Sequence, residues 1–441
     1  MRTTRICIVG GGSYNWGPTL LKDIASKKEV LDGTVVLHDV DPVALDDMAR
    51  LGRKIMEQAE AGFAVEATTD LRSALAGAEF VGVTITTGGL ETMACDLEIP
   101  LKYGVYQTVG DTVGPGGLSR ALRNIPPMLE IARAMEAVCP DAWLINLTNP
   151  MSTLTRAIAC STRIKVVGLC HEVDSTRATL LRMFGARPDE LEALVAGINH
   201  LPWFVQLRIQ GEDGVERVRR HVAEGRPIPL KPDFEERSPF QDHWKVKLAL
   251  LDAVGYLAGA GDRHVAEFFP YFLKEQTRFG ADYDVEMTPI DLRRRRTEAH
   301  RERVRAWLRE GERVPLGRSR EEFSDIIAAL EGVSEPVRTV VNLPNVGQIA
   351  NLPRDVIVET SAVAGPTGIH PISVGELPLP ILATVYPHVI NQEMTVQAGI
   401  RGDRKLALQA LVNDPLVRDP ALARSMLDEL LRANARWLPQ F

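Results

Sequence analysis

The sequence predicts an α/β protein in which a doubly wound parallel sheet packs against a C-terminal α+β region. Short apolar runs alternate with helix-like segments through the first half of the chain, which is the order typical of β-α-β units. A glycine-rich stretch, GGGSYN at 10–15, follows the first apolar run. Polar or reactive residues follow several other runs, and doubly wound sheets collect their ligands at such strand ends.

The elements of the first half follow from this alternation. Buried parallel strands are continuous apolar runs, and the helices are the longer amphipathic segments between them. In chain order we expect a strand at 5–9, a helix opened by the glycine stretch, a strand within 34–42 that ends on Asp39, a helix at 43–62, a strand at 64–67, a helix and a strand within 68–86, a helix at 119–138, a strand within 142–150, and a helix leading to a strand at 164–170.

The pattern changes after about residue 195. Strands are predicted at 200–212 and 338–363, and helices at 240–310 and 380–435. We therefore divide the chain into an N-terminal Rossmann-like domain at 1–195 and a C-terminal α+β domain at 196–441. Because strands and helices of the second half no longer alternate regularly, we expect it to pack against the first half as one α+β domain.

The charge balance excludes several classes of partner. The 441 residues carry a net charge of −7, so no overall basic field attracts nucleic acid or an anionic membrane. The densest basic run, at 291–314, is interleaved with acidic residues and is predicted to be a solvated helix face, with a nucleic-acid patch as the less favoured alternative. The five cysteines have no paired spacing, which indicates reduced thiols. The first apolar run is too short for a signal peptide or a membrane span, so we expect a soluble cytoplasmic protein.

The stretch GGGSYN indicates a dinucleotide site. Gly10 and Gly12 supply two glycines of a GxGxxG pattern, whereas the third position holds Asn15. Glycines allow the tight turn and let a pyrophosphate approach the N–H groups at the helix start. Asp39, at the end of the next strand, is placed to hold a ribose hydroxyl, which favours NAD over NADP. The predicted cofactor-binding residues are Gly10, Gly12, Ser13, Asn15, Asp39 and Thr86.

Two reactive residues, Cys170 and His171, follow the strand at 164–170. On their own they are compatible with a redox thiol and a hydrogen-bonded histidine. The stretch GINH at 197–200 adds a second imidazole, His200, at the start of a later strand. A thiolate and an imidazole together suit a transition metal, but a structural zinc site takes four protein ligands. From spacing alone, a catalytic metal completed by water or substrate and a metal-free pair both stay open.

Three further residues are candidates whose structural alternatives are equally simple. Asp111 lies in a glycine-rich loop before a helix, where it is also a candidate helix cap. Asp262 stands at the head of an apolar helix, and aspartate is a favoured N-cap. Tyr256 precedes the same helix and is also a candidate core residue.

Taken together, these stretches resemble glycoside hydrolase family 4, the NAD- and metal-dependent glycosidases. The resemblance runs over nearly the whole chain, and the CHEV form at 170–173 is similar to the α-glucuronidase and α-galacturonidase members. It rests on motifs in a fixed order: the glycine stretch, KYG with GDTVGPGG at 102–117, NLTNP at 146–150, LCHEV at 169–173, GINH at 197–200 and NVGQIANLP at 345–353.

The resemblance implies a hydrolysis that does not use two carboxylates. Hydride passes from carbon 3 of the sugar to NAD, and the resulting ketone acidifies the proton on carbon 2. A divalent metal, for which Mn²⁺ is the expected ion, stabilises the enolate. Elimination then expels the aglycone, water adds, and the hydride returns to carbon 3. The resemblance also implies a homodimer or homotetramer, with substrate-binding and oligomer contacts in the domain at 196–441.

The same resemblance implies roles for individual residues. These roles are metal ligation by Cys170 and His200, general acid catalysis by His171, proton abstraction by Asp262 or Tyr256, and sugar binding by Asn149 and Asp111.

One departure from the family pattern indicates the substrate. Members that act on 6-phosphosugars carry an arginine in a GGxxAR stretch, where this sequence has GGLETMACD with Met93 in that place. A phosphate dianion buried against methionine would lack charged partners. We therefore expect an α-linked hexuronic acid, an α-glucuronide or an α-galacturonide. The alternatives are a neutral α-glucoside or α-galactoside, an NAD-dependent 2-hydroxy-acid dehydrogenase, and a non-catalytic NAD sensor.

Overall fold

The computed structural model describes residues 1–232, 234–235, 237–319, 321–417 and 419–441, so position 418 of the predicted helical stretch 380–435 lies outside the described residues. The strands are β1 Arg2–Val9, β2 Leu31–His38, β3 Phe63–Thr68, β4 Phe80–Val83, β5 Trp143–Asn146, β6 Lys165–Leu169, β7 Leu191–Ile198, β8 Leu201–Ile209, β9 Glu212–Asp213, β10 Leu257–Ala258, β11 Val337–Pro344, β12 Ile357–Gly365 and β13 Gly368–Pro371.

The α-helices are α1 Gly17–Ala25, α2 Pro42–Ala59, α3 Leu71–Leu75, α4 Gly89–Lys102, α5 Gly114–Val138, α6 Met151–Ser161, α7 Glu172–Phe184, α8 Gly214–Ala223, α9 Lys245–Val254, α10 Asp262–Val265, α11 Ile290–Trp307, α12 Phe323–Leu330, α13 Leu379–Arg401, α14 Arg404–Asn413 and α15 Pro420–Ala433. Short 3₁₀ segments lie at Pro188–Glu190, Ala266–Phe268, Glu275–Tyr283 and Ala435–Trp437.

A single sheet joins the strands of the described residues. Its order is β10-β8-β7-β12-β11-β6-β5-β4-β1-β2-β3, with β13 on β12 and β9 on β8. The six strands from β6 to β3 are parallel and run in the order 3-2-1-4-5-6 of a dinucleotide-binding sheet. The predicted α/β class with a doubly wound sheet is confirmed.

Helices cover both faces of the parallel part and bury its apolar strands. On one face α1, α2 and α12 form a core with β1 and β2, and on the other α3, α5 and α6 form a second core. The packing is close: a Cβ on Gly82 of β4 would lie 2.8 Å from the ring of Phe323 on α12. Both faces are therefore shielded, and the polar strand ends remain as the place for ligands.

The second half extends the same sheet with antiparallel strands. Val341 of β11 pairs with Leu169 of β6, and Glu359 of β12 pairs with Gly197 of β7. Strands from both sides of position 195 thus share one sheet, and the division into domains at 195/196 stays a prediction. Among the described residues, no helix has the length and apolar character that crossing a membrane requires.

Several helices differ from the expectations, since α4, α7, α8 and α12 were not predicted. For α4, the start at a glycine pair and the internal Pro100 are unfavourable in helices. The helix expected at 119–138 begins earlier, at Gly114. Its first turn packs closely on the preceding loop, since a Cβ on Gly117 would lie 2.5 Å from the carbonyl carbon of Thr112. The glycines of GDTVGPGG are therefore needed for this close approach.

Candidate active site

The glycine turn follows β1, which neighbours β4 at the point where the strand order reverses. The N–H groups of Gly10 and Gly11 donate to the carbonyl of His38 at 2.9 Å each. The N–H of Gly12 donates to Oδ2 of Asp39 at 2.9 Å, and a Cβ on Gly12 would lie 2.9 Å from that oxygen. The turn and the acidic residue at the end of β2 are thus in contact, as the dinucleotide prediction requires.

The remaining predicted cofactor residues flank this turn. Ser13 Oγ accepts a hydrogen bond from the N–H of Trp16 at 3.1 Å, immediately before α1. Asn15 is exposed. Thr86, beyond the end of β4, accepts from Nη2 of Arg120 at 3.4 Å. Their binding roles stay predictions that the turn geometry supports.

Three side chains of metal-ligating type converge near these strand ends. Asp111, His200 and His264 each offer a ligand atom, and these atoms all lie within 4.8 Å of one another. The rings of His200 and His264 lie with centroids 3.9 Å apart, and Nδ1 of His264 is 4.0 Å from Oδ1 of Asp111. Imidazoles and a carboxylate are common ligands of divalent metals, Mn²⁺ among them. The structure thus groups the predicted ligand His200 with Asp111, which was predicted to bind sugar.

The β7–β8 hairpin positions His200. Asn199 and His200 form the turn between the paired residues Ile198 and Leu201, so His200 precedes the strand that it was predicted to begin. Its φ of 65° is a left-handed conformation that residues other than glycine seldom adopt. The hydroxyl of Thr112 lies 2.7 Å from Nδ1 of His200, which fixes the ring orientation and leaves Nε2 for a ligand.

Electrostatics favour an ionised carboxylate beside neutral imidazoles. Burial opposes ionisation of Asp111, but charged neighbours, Arg120 among them, and a hydrogen bond with Thr112 hold the pKa of that carboxyl below its usual range. Burial lowers the pKa of His200 and of His264. Neutral imidazoles keep the lone pairs that metal binding uses.

Cys170 and His171 directly follow β6. Cys170 is not part of the described group around His200, and burial raises the pKa of its thiol, as do the charges of Glu359 and Glu172.

His171 Nδ1 is 2.9 Å from Glu321 Oε1, and Nε2 is 3.6 Å from Glu172 Oε1. Desolvation by the surrounding protein would on its own lower the pKa of the partly exposed His171, but its bond to Glu321 and these two charges raise that pKa to about 9. A protonated imidazole is what a general acid requires.

The two predicted sugar-binding residues are also neighbours. Asn149 ends the loop after β5, and its Nδ2 lies 3.4 Å from Oδ2 of Asp111. Nε of Arg120 donates to the carbonyl of Asn149 at 2.9 Å. The loops after β5 and before α5 therefore meet at the ligand group.

Asp262 has a structural function that sequence reasoning assigned to the wrong helix. Gly261 is the N-cap of α10, whereas the Asp262 carboxylate accepts from the N–H groups of Val246 and Lys247, both at 3.0 Å, at the start of α9. Its Oδ1 is also 3.3 Å from Nζ of the fully buried Lys247. Asp262 is 2% exposed. Both oxygens are thus engaged, which favours a structural role over the predicted role as base.

Tyr256 lies at the far end of β10 from the ligand group. Leu257 and Ala258 pair with Phe204 and Trp203, so the chain after Tyr256 runs along β8 towards His200. Tyr256 packs against an apolar core of the second half. This position favours its alternative interpretation as a core residue.

Two arginines of α11, Arg293 and Arg296, were not predicted to be covered by the protein. The run at 291–314 was predicted to be a solvated face, yet Arg293 on α11 has two buried guanidinium nitrogens, Nε and Nη2, and Arg296 stacks on Phe240 with its guanidinium carbon 4.0 Å from the ring centroid. The prediction of a solvated face is wrong for Arg296, which packs on Phe240, and for the buried guanidinium nitrogens of Arg293. An unbalanced basic quartet, RRRR at 293–296, was the available signal.

Buried polar atoms at this sheet edge fit a site that ligands complete. Among the described residues, no hydrogen-bond partner is present for Asn149 Oδ1, His264 Nδ1, Arg263 Nε, or Arg293 Nε and Nη2. Native proteins keep few such atoms, because each costs free energy. Their presence around the group of Asp111, His200 and His264 matches the needs of a metal and a polar substrate.

Comparisons with known proteins show similarity over nearly the whole chain to several glycosidases. An Alpha-galacturonidase of Bacillus subtilis is 36% identical over 440 residues, covering 97% of each chain. An Alpha-galactosidase of the same species is 31% identical, covering 99% of each chain. The solved structure of the 6-phospho-beta glucosidase from Thermotoga maritima, which contains manganese, NAD+ and glucose-6-phosphate, is 25% identical with a TM-score of 0.80, covering 98% of this chain and 99% of that chain.

Family models match most of the chain. The model described as "Family 4 glycosyl hydrolase" matches residues 5–186. The model described as "Family 4 glycosyl hydrolase C-terminal domain" matches residues 195–417. The chain therefore belongs to glycosyl hydrolase family 4, and it is a glycoside hydrolase.

Proposed function

We propose that this glycoside hydrolase cleaves α-linked hexuronic acids, with an α-galacturonide as its preferred substrate. The observation that carries the proposal is the similarity, over nearly the whole chain, to an Alpha-galacturonidase. Met93 supports it, because this side chain is buried on α4 at the place of the phosphate-binding arginine. A uronate carries one charge and needs fewer charged partners than a phosphate dianion.

The proposed enzyme uses NAD and a divalent metal, for which Mn²⁺ is the expected ion. The Thermotoga maritima relative contains both. In this chain the turn at Gly10–Gly12 and Asp39 would hold the dinucleotide, and His200 would hold the metal with Asp111 and His264 in reach. Cys170 stays the predicted thiolate ligand. When bound, NAD exchanges a hydride at carbon 3 and the metal stabilises negative charge on the sugar oxygens.

The side chains around this centre would orient the sugar and move its protons. Thr112 fixes the His200 ring, and the Asn149 amide lies beside Asp111, where it would donate to a sugar hydroxyl. His171 follows β6 with its ring held by Glu321. We assign His171 as the acid that protonates the leaving glycosidic oxygen, because the bond to Glu321 stabilises the protonated imidazole.

A substrate panel tests the proposal. The nitrophenyl derivatives of α-galacturonide, α-glucuronide, α-galactoside, α-glucoside and 6-phospho-α-glucoside are compared at equal concentration with NAD, Mn²⁺ and a thiol reductant. We expect the α-galacturonide to have the highest kcat/KM and the phosphorylated sugar the lowest. If a neutral hexoside is turned over best, the uronate proposal fails while family membership stands. If the phosphorylated sugar is best, the interpretation of Met93 fails as well.

A further inference from the structure

The first turn of α11 holds an arginine whose buried donors are unused. Nε and Nη2 of Arg293 have no hydrogen-bond partner among the described residues. Burial lowers the pKa of this guanidinium to about 10, so the side chain remains a cation at neutral pH. Buried donors of a charged group cost free energy when no acceptor is present. The retention of Arg293 indicates that an anion supplies the missing acceptors.

Hydrogen bonds tie the start of α11 to the active site. The N–H of Met287 donates to the Tyr106 hydroxyl at 2.8 Å, and the N–H of Thr288 donates to the carbonyl of Thr108 at 3.1 Å. The segment before α11 is thus bonded to the segment that leads to Asp111. Arg293 follows one turn later, with its N–H bonded to the carbonyl of Pro289 at 3.3 Å.

A second tie comes from the segment that carries His264. Nη2 of Arg263 donates to the Thr288 hydroxyl at 2.7 Å. The charges of Arg263, Asp111 and Arg120 all act on Arg293. The guanidinium of Arg293 therefore belongs to the surroundings of the ligand group and not to the solvated part of α11.

The two other arginines near the ligand group, Arg120 and Arg263, use terminal guanidinium nitrogens in hydrogen bonds, although Nε of Arg263 also has no partner among the described residues. Arg120 donates to the carbonyl of Asn149 at 2.9 Å and to Thr86 Oγ1 at 3.4 Å. Arg263 donates to the carbonyl of Pro239 at 3.4 Å and to Thr288. Arg293 retains two adjacent N–H donors of one fork, and such a fork matches the two oxygens of a carboxylate.

We propose that Arg293 binds the carboxylate at carbon 6 of the sugar and so selects uronic acids over neutral hexoses. This inference rests on the proposed function, because it assigns the residue that recognises the charged group of that substrate. The fork donates two parallel hydrogen bonds to the carboxylate oxygens. A neutral hexoside offers a hydroxymethyl group there, which cannot make these two charge-assisted hydrogen bonds and therefore gains less binding free energy.

The test compares Arg293→Met and Arg293→Lys with Arg295→Met, a control on the exposed side of the same helix. kcat/KM is measured for nitrophenyl α-galacturonide and nitrophenyl α-galactoside, and NAD affinity is measured by titration. For Arg293→Met we expect about a 100-fold loss with the galacturonide, as for a lost charged hydrogen bond. The rate with the galactoside and the affinity for NAD should change by less than about threefold. The kcat/KM of Arg293→Lys for the galacturonide should lie between those of Arg293→Met and the wild type, and Arg295→Met should match the wild type.

The outcomes separate this inference from the proposed function. If the wild-type enzyme does not prefer the galacturonide, the proposed function fails first and the inference fails with it. If the wild type prefers the galacturonide but Arg293→Met lowers kcat/KM equally for both substrates, only the assignment of Arg293 is overturned. A matching loss of NAD affinity would instead assign Arg293 to the cofactor pyrophosphate and would also overturn it.

Stability of the substrate-free protein gives a readout that does not need activity. If Arg293 is kept for a ligand, Arg293→Met removes an unpaired buried cation, and its melting temperature should equal or exceed that of the wild type. Added D-galacturonate should raise the melting temperature of the wild type and of Arg295→Met, but not that of Arg293→Met. A lower melting temperature for Arg293→Met without ligand would assign Arg293 a structural role and contradict the inference.

Discussion

Replacing Asp262 by asparagine distinguishes a structural carboxylate from a catalytic base. In the structure the Asp262 oxygens accept from the N–H groups of Val246 and Lys247, both at 3.0 Å, at the start of α9. Asparagine keeps one accepting oxygen and nearly the same volume. Lys247 Nζ would keep its bonds to Asp242 at 2.9 and 2.7 Å. The variant therefore loses one charge-assisted acceptor, and the buried ion pair of Lys247 and Asp242 that remains has no net charge.

The magnitude follows from these contacts. Loss of one capping acceptor predicts a decrease of about 1–2 kcal/mol in the free energy of unfolding for Asp262→Asn. Asp262→Ala loses both acceptors and leaves a cavity, so about 3–4 kcal/mol is expected. A general base contributes about 10²–10⁴-fold to the rate. A structural role instead predicts that folded Asp262→Asn keeps kcat within a few-fold.

Two assays decide between the roles. Urea unfolding gives the stability change, and kinetics well below the melting temperature give kcat. Elimination requires removal of the proton at carbon 2 by the base. Reaction in heavy water reports this step as exchange of that proton for deuterium. If Asp262→Asn keeps wild-type stability but loses more than about 100-fold in kcat together with carbon-2 exchange, the structural interpretation is refuted and the sequence-based role as base is restored.

Three other predictions concern the metal, the reaction and stability in acid. Chelation should abolish turnover and Mn²⁺ should restore it; Asp111→Asn and Cys170→Ala, compared by Mn²⁺ titration, show which residue is a ligand, and unchanged affinity in either variant removes that residue from the site. The sugar released in heavy water should carry deuterium at carbon 2, and a product without label, formed under conditions where solvent exchange is complete, would contradict elimination. Burial lowers the pKa of His388 from 6.5 to about 4; because the unfolded chain protonates first, stability should be lost as pH falls from about 6.5 to about 4, by about 3 kcal/mol in total. His388→Gln should lack this acid dependence in urea unfolding, and an unchanged pH profile would refute the assignment.

Features that depend on local sequence were predicted best. The glycine turn, Asp39 at the end of β2 and the alternation of strands and helices follow from short patterns that constrain the backbone directly. His200 was found because GINH is a compact motif, and the hairpin turn now explains why it is presented there. The doubly wound sheet followed from these patterns without any knowledge of long-range contacts.

Features that depend on distant contacts were not predicted. Asp262 caps α9, which begins well before it in the chain, and no local pattern indicates that pairing. His264 joins Asp111 only because the segment after β10 runs back along β8. Two guanidinium nitrogens of Arg293 are buried, and the charged residues that act on it are far away in sequence, so the basic run resembled an ordinary solvated helix.

The central claim is that the enzyme recycles NAD while hydrolysing an α-galacturonide, and one assay tests it directly. Nitrophenolate release and NADH absorbance are followed together in a single reaction that contains the enzyme, NAD, Mn²⁺ and a thiol reductant. The account predicts many turnovers of nitrophenolate that depend strictly on added NAD, with no net NADH formed. NADH that accumulates in step with product would support the dehydrogenase alternative, and release that continues in NAD-free enzyme would contradict the claim altogether.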